Sequence, residues 1–197
     1  MNPPARRRAA SATASASGDS RTRLLESAKD VFAEKGYAGA RVQEIADRAG
    51  VNKQLINYYF GGKSGIYAEL GREWLKSEAE LQDPELPYDE LVLRYLRNNF
   101  ADPRGVRLEA WSELTGRPDV PELATEDLAD IERRQAEGEL DDTISPAMVM
   151  LLSQVLVMAP HLMPDTVRRI FGGDPTHPDF QRDYTEQLGR VLRLLRA

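Results

Sequence analysis

The chain has 197 residues, of which 41% are hydrophobic and 29% charged, a composition typical of a globular protein with one large domain or two small ones. It contains no cysteine and only two histidines, which excludes a disulfide scaffold, a thiolate zinc site and cysteine catalysis. The net charge is −6, yet residues 1–70 carry 11 Lys/Arg against 7 Asp/Glu, which favours a localised site for a polyanion on an otherwise acidic chain.

Membrane and export signals are not visible in the sequence. The longest apolar run, from Ala147 to Ala159, is interrupted by Ser153 and Gln154, so it falls short of the roughly 18 to 20 residues of a membrane span. The arginines at 6–8 are followed by alternating Ala and Ser rather than by an apolar stretch. We therefore expect a cytoplasmic location and no membrane partner.

The first predicted elements are a tail and a helix. Residues 1–19 are rich in Ala, Ser, Pro and Arg without apolar periodicity, which predicts a disordered tail. From Ser20 onward, apolar residues recur at helical spacing and predict a helix that ends at Gly36. The apolar face of this helix consists of Leu24, Leu25, Ala28, Val31 and Phe32.

Two short helices joined by a glycine turn follow, in the segment VQEIADRAGVNKQLINYY of residues 42–59. The small residues Ala46 and Ala49 let the two helices approach closely, and Gly50 can take the positive φ of a tight turn. Asn52 is a good N-cap for the second helix. The pattern is that of a helix-turn-helix, whose second helix lies in the major groove of DNA.

The remainder of the sequence is also helical in pattern. A fourth helix follows Gly61 and Gly62, and no stretch alternates as a β-strand does. Three of the later predicted helices begin at residues that are favourable N-caps, which are Asp102, Thr125 and Ser145. The sequence predicts an all-α fold of nine or ten helices, the later ones lying near residues 91–100, 103–114, 125–135, 146–158, 164–171 and 179–196.

Residues 21–70 resemble the DNA-binding region of the TetR family of transcriptional regulators. The chain departs from the family pattern at Ala40 and Arg41, where the family usually has Thr or Ser, and at Asn57, where it usually has Tyr. Gly39 or free backbone amides are therefore expected at the start of the second helix. The residues that carry the resemblance are Leu25, Ala28, Phe32, Gly36, Tyr37, Val42, Ile45, Ala46, Ala49, Gly50, Val51, Tyr59, Phe60, Lys63 and Ile66.

The resemblance implies an N-terminal three-helix helix-turn-helix DNA-binding domain at residues 20–66 and a C-terminal helical ligand-binding and dimerisation domain at 67–197. On the second helix, Gln54 and Asn57 can pair with adenine and Lys53 can donate to guanine. Tyr58 and Tyr59 follow Asn57, and for these two residues the alternative to DNA contact is local packing against the domain. The expected DNA-binding residues are Arg21, Thr22, Arg23, Arg41, Asn52, Lys53, Gln54, Leu55, Asn57, Tyr58, Tyr59 and Lys63.

A single helix-turn-helix contacts too few bases for tight binding, so a homodimer is expected. The resemblance assigns the dimer contact to the helices Pro146–Met158 and Asp179–Arg196, the first of which is apolar nearly all round. The alternative is that both helices form internal core only. The resemblance also implies a cavity for a small apolar effector, with the candidate walls Tyr95, Phe100, Trp111, Met148, Met158, His161 and Met163.

Three functions are compatible with these features to different degrees. The first is a homodimeric DNA-binding repressor that acts on a palindromic operator and is released by a small molecule. The second is a regulator of the same fold that is constitutive or controlled by a partner; an apolar cavity beneath Trp111 would favour the first. The third, an enzyme, has little support, because no phosphate-binding glycine loop is present and carboxylates such as Asp130 are expected on solvated faces. No cofactor or metal is predicted.

Overall fold

The computed structural model of the chain describes residues 5–116 and 128–197. Within these residues the regular structure consists of ten helices and an isolated antiparallel bridge between Leu140 and Arg196, so the all-α prediction is confirmed. Thr125 lies outside the described residues. The helices are α1 (Ala5–Gly39), α2 (Val42–Ala49), α3 (Gln54–Phe60), α4 (Lys63–Leu81), α5 (Tyr88–Ala101), α6 (Arg104–Thr115), α7 (Ala129–Ala136), α8 (Pro146–Leu162), α9 (Pro164–Phe171) and α10 (Pro178–Arg193).

Helix α1 extends further toward the N-terminus than the sequence predicts. It begins at Ala5, so the structure is helical where a disordered tail was expected. The six alanines between residues 5 and 16 account for this difference, since alanine is the strongest helix former. At the other end, Gly36 leaves the helical conformation with φ 68° and ψ 175°, as predicted.

The helices α1 to α4 enclose an apolar core at the predicted positions. On α1 the side chains of Leu24, Ala28, Val31 and Phe32 are fully buried. They are joined by buried residues of the next three helices, which are Ile45, Ala46, Ala49, Ile56, Ile66 and Leu70. The helical periodicity of the sequence therefore identified the inward face of α1 correctly.

The described residues form two compact units whose boundary differs from the expected one. One unit contains residues 5–75 and 111–116, and the other contains residues 76–110 and 128–197. The expected boundary at residue 66 lies inside α4, and the last residues of α6 belong to the first unit. Helices α4 and α6 thus each contribute residues to both units.

The second unit is built around α5, α8 and α10. Its apolar core includes Leu96, Val149 and Leu192. Buried hydroxyl groups are paired, since the Tyr88 and Ser153 hydroxyls lie 2.8 Å apart and the Tyr184 hydroxyl donates to the Leu156 carbonyl at 2.7 Å. These bonds connect α8 to α5 and to α10.

A buried arginine on α7 holds the surrounding loops. Arg134, only 1% exposed, donates to Asp130 at 2.7 Å, to the Leu86 carbonyl at 2.8 Å and to Glu139 at 2.8 Å. Burial raises the pKa of Asp130, but the hydrogen bonds from Arg134 and Arg133 outweigh it, so the pKa is lowered. Asp130, expected on a solvated face, is 41% exposed and also takes part in this ion-pair network.

Two further features concern membranes and metals. In the described ranges no single helix is both long and apolar enough to cross a membrane. Helices α8 and α9 together have the length and hydropathy of a membrane span, but they are bent by 95° relative to each other. The same ranges hold no group of three or more His, Asp or Glu side chains placed to bind a metal ion.

Candidate nucleic-acid interface

The turn between α2 and α3 fixes the angle of a helix-turn-helix. Gly50 has a left-handed conformation with φ 64°, as the sequence predicts. The Gly50 amide donates to the Asp47 carbonyl at 3.1 Å and the Val51 amide donates to the Ala46 carbonyl at 3.0 Å. This pair of bonds is a Schellman motif, which satisfies the last carbonyls of α2 and turns the chain toward α3.

Helix α3 presents a polar face to solvent. Its Ile56 side chain is buried, whereas Gln54, Asn57 and Tyr58 are exposed on the opposite face at spacings of three and four residues. Lys53, directly before the helix, is exposed as well. The structure therefore brings together the residues that the sequence assigned to base contacts.

Asn52 has a local structural role. Its side-chain Oδ1 accepts a hydrogen bond from the amide of Gln54, the first residue of α3, at 2.9 Å. The sequence predicted Asn52 at the N-cap of α3, but Lys53 occupies that position and makes no side-chain cap. The bond to Gln54 limits the freedom of the Asn52 side chain to reach DNA.

The two tyrosines of α3 differ in exposure. Tyr58 is 79% exposed, while Tyr59 is half-buried and lies with its ring centroid 5.0 Å from that of Tyr58 and 6.1 Å from that of Phe60. Leu55 is also half-buried. Tyr59 thus packs locally, whereas the Tyr58 ring is accessible to a ligand of this face.

Two cations stand at the starts of the helices that precede and follow α3 in the chain. Arg41 is exposed at the N-cap of α2, and no side chain caps that helix; of the two expected arrangements, Gly39 as the cap is therefore wrong. Lys63 is the first residue of α4, and its ammonium lies 4.6 Å from the centroid of the Tyr37 ring. Burial lowers the pKa of the Lys63 ammonium. The contact with Tyr37 was not predicted, because it joins the end of α1 to the start of α4.

The polar residues at positions 21–23 of α1 have partners within the domain. Arg21 pairs with Glu69 of α4 at 2.5 Å, and Arg23 pairs with Asp19 at 3.3 Å. The Thr22 hydroxyl donates to the Gly18 carbonyl at 3.1 Å. Thr22 and Arg23 are exposed, while Arg21 is half-buried.

Trp111, which the sequence assigns to the wall of an effector cavity in the C-terminal domain, lies in the first unit. Its indole packs on Gly36, where an added Cβ atom would lie 2.9 Å from the ring. Its Nε1 donates to the Ala33 carbonyl at 3.3 Å. The last turn of α6 thus docks on α1, which local sequence patterns do not encode.

Two of the methionines expected in the cavity lie on the surface of the single chain. Met148 lies on a side of α8 that faces away from the core and is 47% exposed, and Met163, at the C-cap of α8, is 52% exposed. Tyr95, Phe100, Met158 and His161 are half-buried in the second unit.

Phe100 and His161 lie together in that unit. Their ring centroids are 5.2 Å apart, and Phe100 also contacts Tyr184 edge-on at 6.4 Å. The buried Nε2 of His161 has no hydrogen-bond partner within the described residues. Burial and the charge of Arg107 lower the pKa of His161 to about 4, so its ring is neutral near pH 7.

Comparison with known proteins agrees with this architecture. Residues 24–70 match the family profile of the bacterial regulatory proteins of the tetR family, and residues 88–190 match the profile of the tetracyclin repressor-like C-terminal domain. The solved structure of SCO4942 from Streptomyces coelicolor has the same fold, with a TM-score of 0.69 and 23% identity over 87% of this chain and 97% of that one.

Two curated relatives match along nearly the whole chain. The HTH-type transcriptional repressor SCO4008 of Streptomyces coelicolor is 28% identical over 87% of this chain and 94% of its own length. The probable HTH-type transcriptional regulator YttP of Bacillus subtilis is 26% identical over 87% of this chain and 91% of its own. With both halves of the chain matched and the helix-turn-helix formed, the chain belongs to the tetR family of bacterial regulatory proteins and is a DNA-binding transcriptional regulator rather than an enzyme.

Proposed function

We propose that the protein is a homodimeric repressor that reads a palindromic operator through α3 and is released from it by a small molecule. The observation that carries the proposal is the exposed polar face of α3, on which Gln54, Asn57 and Tyr58 stand opposite the buried Ile56. The similarity to a transcriptional repressor of Streptomyces coelicolor supports repression as the regulatory outcome.

Base reading and phosphate binding are assigned to different residues. Gln54 and Asn57 carry amide groups that can pair bidentately with adenine, and Lys53 can donate to guanine. Arg41 and Lys63, at the starts of the helices before and after α3, are suited to phosphate contacts, which set the register of the domain on DNA. Thr22 and Arg23 are exposed on α1 and are assigned to contacts with the flanking phosphates.

The proposed dimer surface is the apolar face of α8. Met148, Leu151, Leu152 and Val155 recur at helical spacing, and each is 40% to 53% exposed in the single chain. A contiguous apolar face of this kind favours contact with a second protein surface. On α10, Val191 is 47% exposed and adds to the apolar surface of the unit.

The proposed effector site contains Phe100 and His161. Aromatic walls together with a buried, unpaired His161 Nε2 suit a small molecule with an apolar body and one polar group. A ligand of this kind releases DNA only if it prefers the conformation that does not fit the operator. The alternative is a regulator of the same fold without a small-molecule effector, for which no compound would release the operator.

The first experiment is selection of bound duplexes from a random pool at two salt concentrations. An enriched inverted repeat that survives the higher salt supports a dimer that reads sequence. Loss of all binding with rising salt, without an enriched sequence, would contradict the base-reading role of α3, because such binding is purely electrostatic.

Gln54→Ala and Lys63→Ala are expected to have different effects on the selected operator. Gln54→Ala should cost roughly 1–3 kcal/mol at one base pair and change the preferred base there. Lys63→Ala should weaken binding to all duplexes alike and reduce the salt slope by about one, since it removes one phosphate contact. Dissociation constants on the operator and its single-base variants test this, and equal losses for Gln54→Ala on every duplex would contradict base reading.

A further inference from the structure

The recognition helix α3 cannot hold its own orientation. It has seven residues, about two turns, which is too short to be stable without contacts from the rest of the domain. Its first end is held by the turn hydrogen bonds at Val51 and Asn52. Its second end is Phe60, whose surroundings determine the angle at which the exposed face meets DNA.

One contact to Phe60 comes from α4. A Cβ atom at Gly65 would overlap the carbonyl oxygen of Phe60, so the backbone of α4 lies directly against the end of α3. Only glycine permits this approach, since any other residue would place a side-chain atom there. This contact fixes the position of the backbone at the end of α3. The side-chain ring of Phe60 has a separate contact.

The ring of Phe60 contacts Arg21 of α1. Its guanidinium carbon lies 5.2 Å from the centroid of the Phe60 ring. The same guanidinium donates from Nη2 to Glu69 Oε1 at 2.5 Å, and Arg72 Nε donates to the other oxygen of Glu69 at 3.1 Å. The hydrogen bonds from Arg72 and Arg21 lower the pKa of Glu69, which keeps its carboxylate charged. Arg21 therefore joins α1, the end of α3 and α4 in one contact.

We propose that Arg21 is a positioning residue that sets the angle of the recognition helix through Phe60 and is itself held by Glu69, rather than a phosphate contact. The inference rests on the proposed role of α3 in reading bases. A guanidinium paired with a carboxylate offers a phosphate little net charge. Its planar shape suits stacking on a ring, which a lysine ammonium does not reproduce.

The test measures dissociation constants of the full chain for the selected operator and for a random duplex over a range of salt concentrations. We expect Arg21→Gln and Glu69→Gln each to weaken operator binding about tenfold, the size of a lost cation–π contact, while the salt slope stays unchanged. Binding to the random duplex should change less than about threefold, because it depends on phosphate contacts.

The Glu69→Gln variant distinguishes a positioning role from a simple effect of charge. Removing a negative charge from a DNA-binding domain should strengthen binding if only charge matters. A positioning role requires the opposite, weaker binding to the operator. The double variant should lose no more than about the larger of the two single losses, since both remove the same contact.

Matched controls separate this role from general loss of structure. Arg72→Gln removes the other cation at Glu69 from a side chain that is 62% exposed, and should change operator affinity less than about twofold. Arg21→Lys keeps the charge without the planar group, so it should show an intermediate loss and serves where Arg21→Gln fails to fold. Circular dichroism at the assay temperature establishes that each variant is folded.

Two outcomes overturn the inference. If Arg21→Gln lowers the salt slope by about one and weakens both duplexes equally while Glu69→Gln binds as well or better, Arg21 is a phosphate contact. If both variants, or Arg21→Lys used in place of Arg21→Gln, bind the operator as the wild type does, Arg21 has no positioning role. A wild-type protein without sequence preference would instead defeat the proposed function.

Discussion

At the scale of single residues, Gly36 combines a backbone requirement with a packing requirement. Its φ of 68° is unfavourable for other residues, and an added Cβ atom would lie 2.9 Å from the Trp111 ring. We expect Gly36→Ala to lower the free energy of unfolding by about 2–6 kcal/mol, the sum of overpacking and of backbone strain, since φ 68° with ψ 175° is a conformation that essentially only glycine adopts. Urea unfolding followed by circular dichroism measures this change.

Gly61→Ala is the matched control for Gly36→Ala. Gly61 lies in the same unit with φ 74° and ψ 12°, the left-handed helical conformation, and an added Cβ atom there meets nothing within 4 Å. Its replacement should cost only the backbone strain, about 1–2 kcal/mol. In a Trp111→Ala background the cost of Gly36→Ala should fall by the overpacking part, about 1–3 kcal/mol, and keep its backbone strain; an unchanged cost would mean that the ring does not set the requirement.

At the scale of elements, the apolar face of α8 should control the oligomeric state. Leu151 is 52% exposed in the single chain, so Leu151→Glu does not bury a charge when the chain folds. In a dimer through α8 it would bury two carboxylates, which costs several kcal/mol. We expect a folded monomer with much weaker operator binding, as measured by sedimentation equilibrium and duplex titration.

Leu114→Glu provides the comparison for Leu151→Glu. Leu114 is an 81% exposed leucine of α6 and lies outside the proposed dimer surface. This variant should remain dimeric at the wild-type association constant. The proposed surface would be wrong if Leu151→Glu also stayed dimeric, or if Leu114→Glu dissociated the protein equally.

At the scale of the whole molecule, stability should fall between neutral and mildly acid pH because of His161. Its pKa is about 4 in the folded chain against 6.5 ordinarily, so between these values only the unfolded chain binds the proton. Stability is therefore lost as pH falls through this window. The full shift corresponds to about 3 kcal/mol, and solvent at the half-buried ring reduces the expected loss to about 2 kcal/mol.

Urea unfolding at pH 7, 5.5 and 4.5 tests the role of His161. His161→Gln should remove the loss, whereas His177→Gln, at the exposed N-cap of α10, should keep it. The ion-paired carboxylates Glu44 and Glu69 have lowered pKa values, so their contribution is present above pH 4.5 and is lost only at lower pH. An equal loss in His161→Gln would assign the effect to other groups.

Local structure was predicted well where neighbouring residues determine it. Helix α2 and its Gly50 turn lie where the sequence predicts them, because helical periodicity and a left-handed glycine act over a few residues. Helix α8 was expected to end at Met158 but continues to Leu162 through the buried Pro160. Packing of that residue into the core outweighs the local preference of proline to end a helix.

The sequence by itself determined the all-α class, the inward face of α1 and the polar residues that α3 presents. These follow from the spacing of apolar and polar residues along single helices. Only the tertiary structure decided that Trp111 covers Gly36 and that Arg21 pairs with Glu69. Those partners lie 75 and 48 residues apart, and the packing of whole helices, rather than the order of residues within one, brings them together.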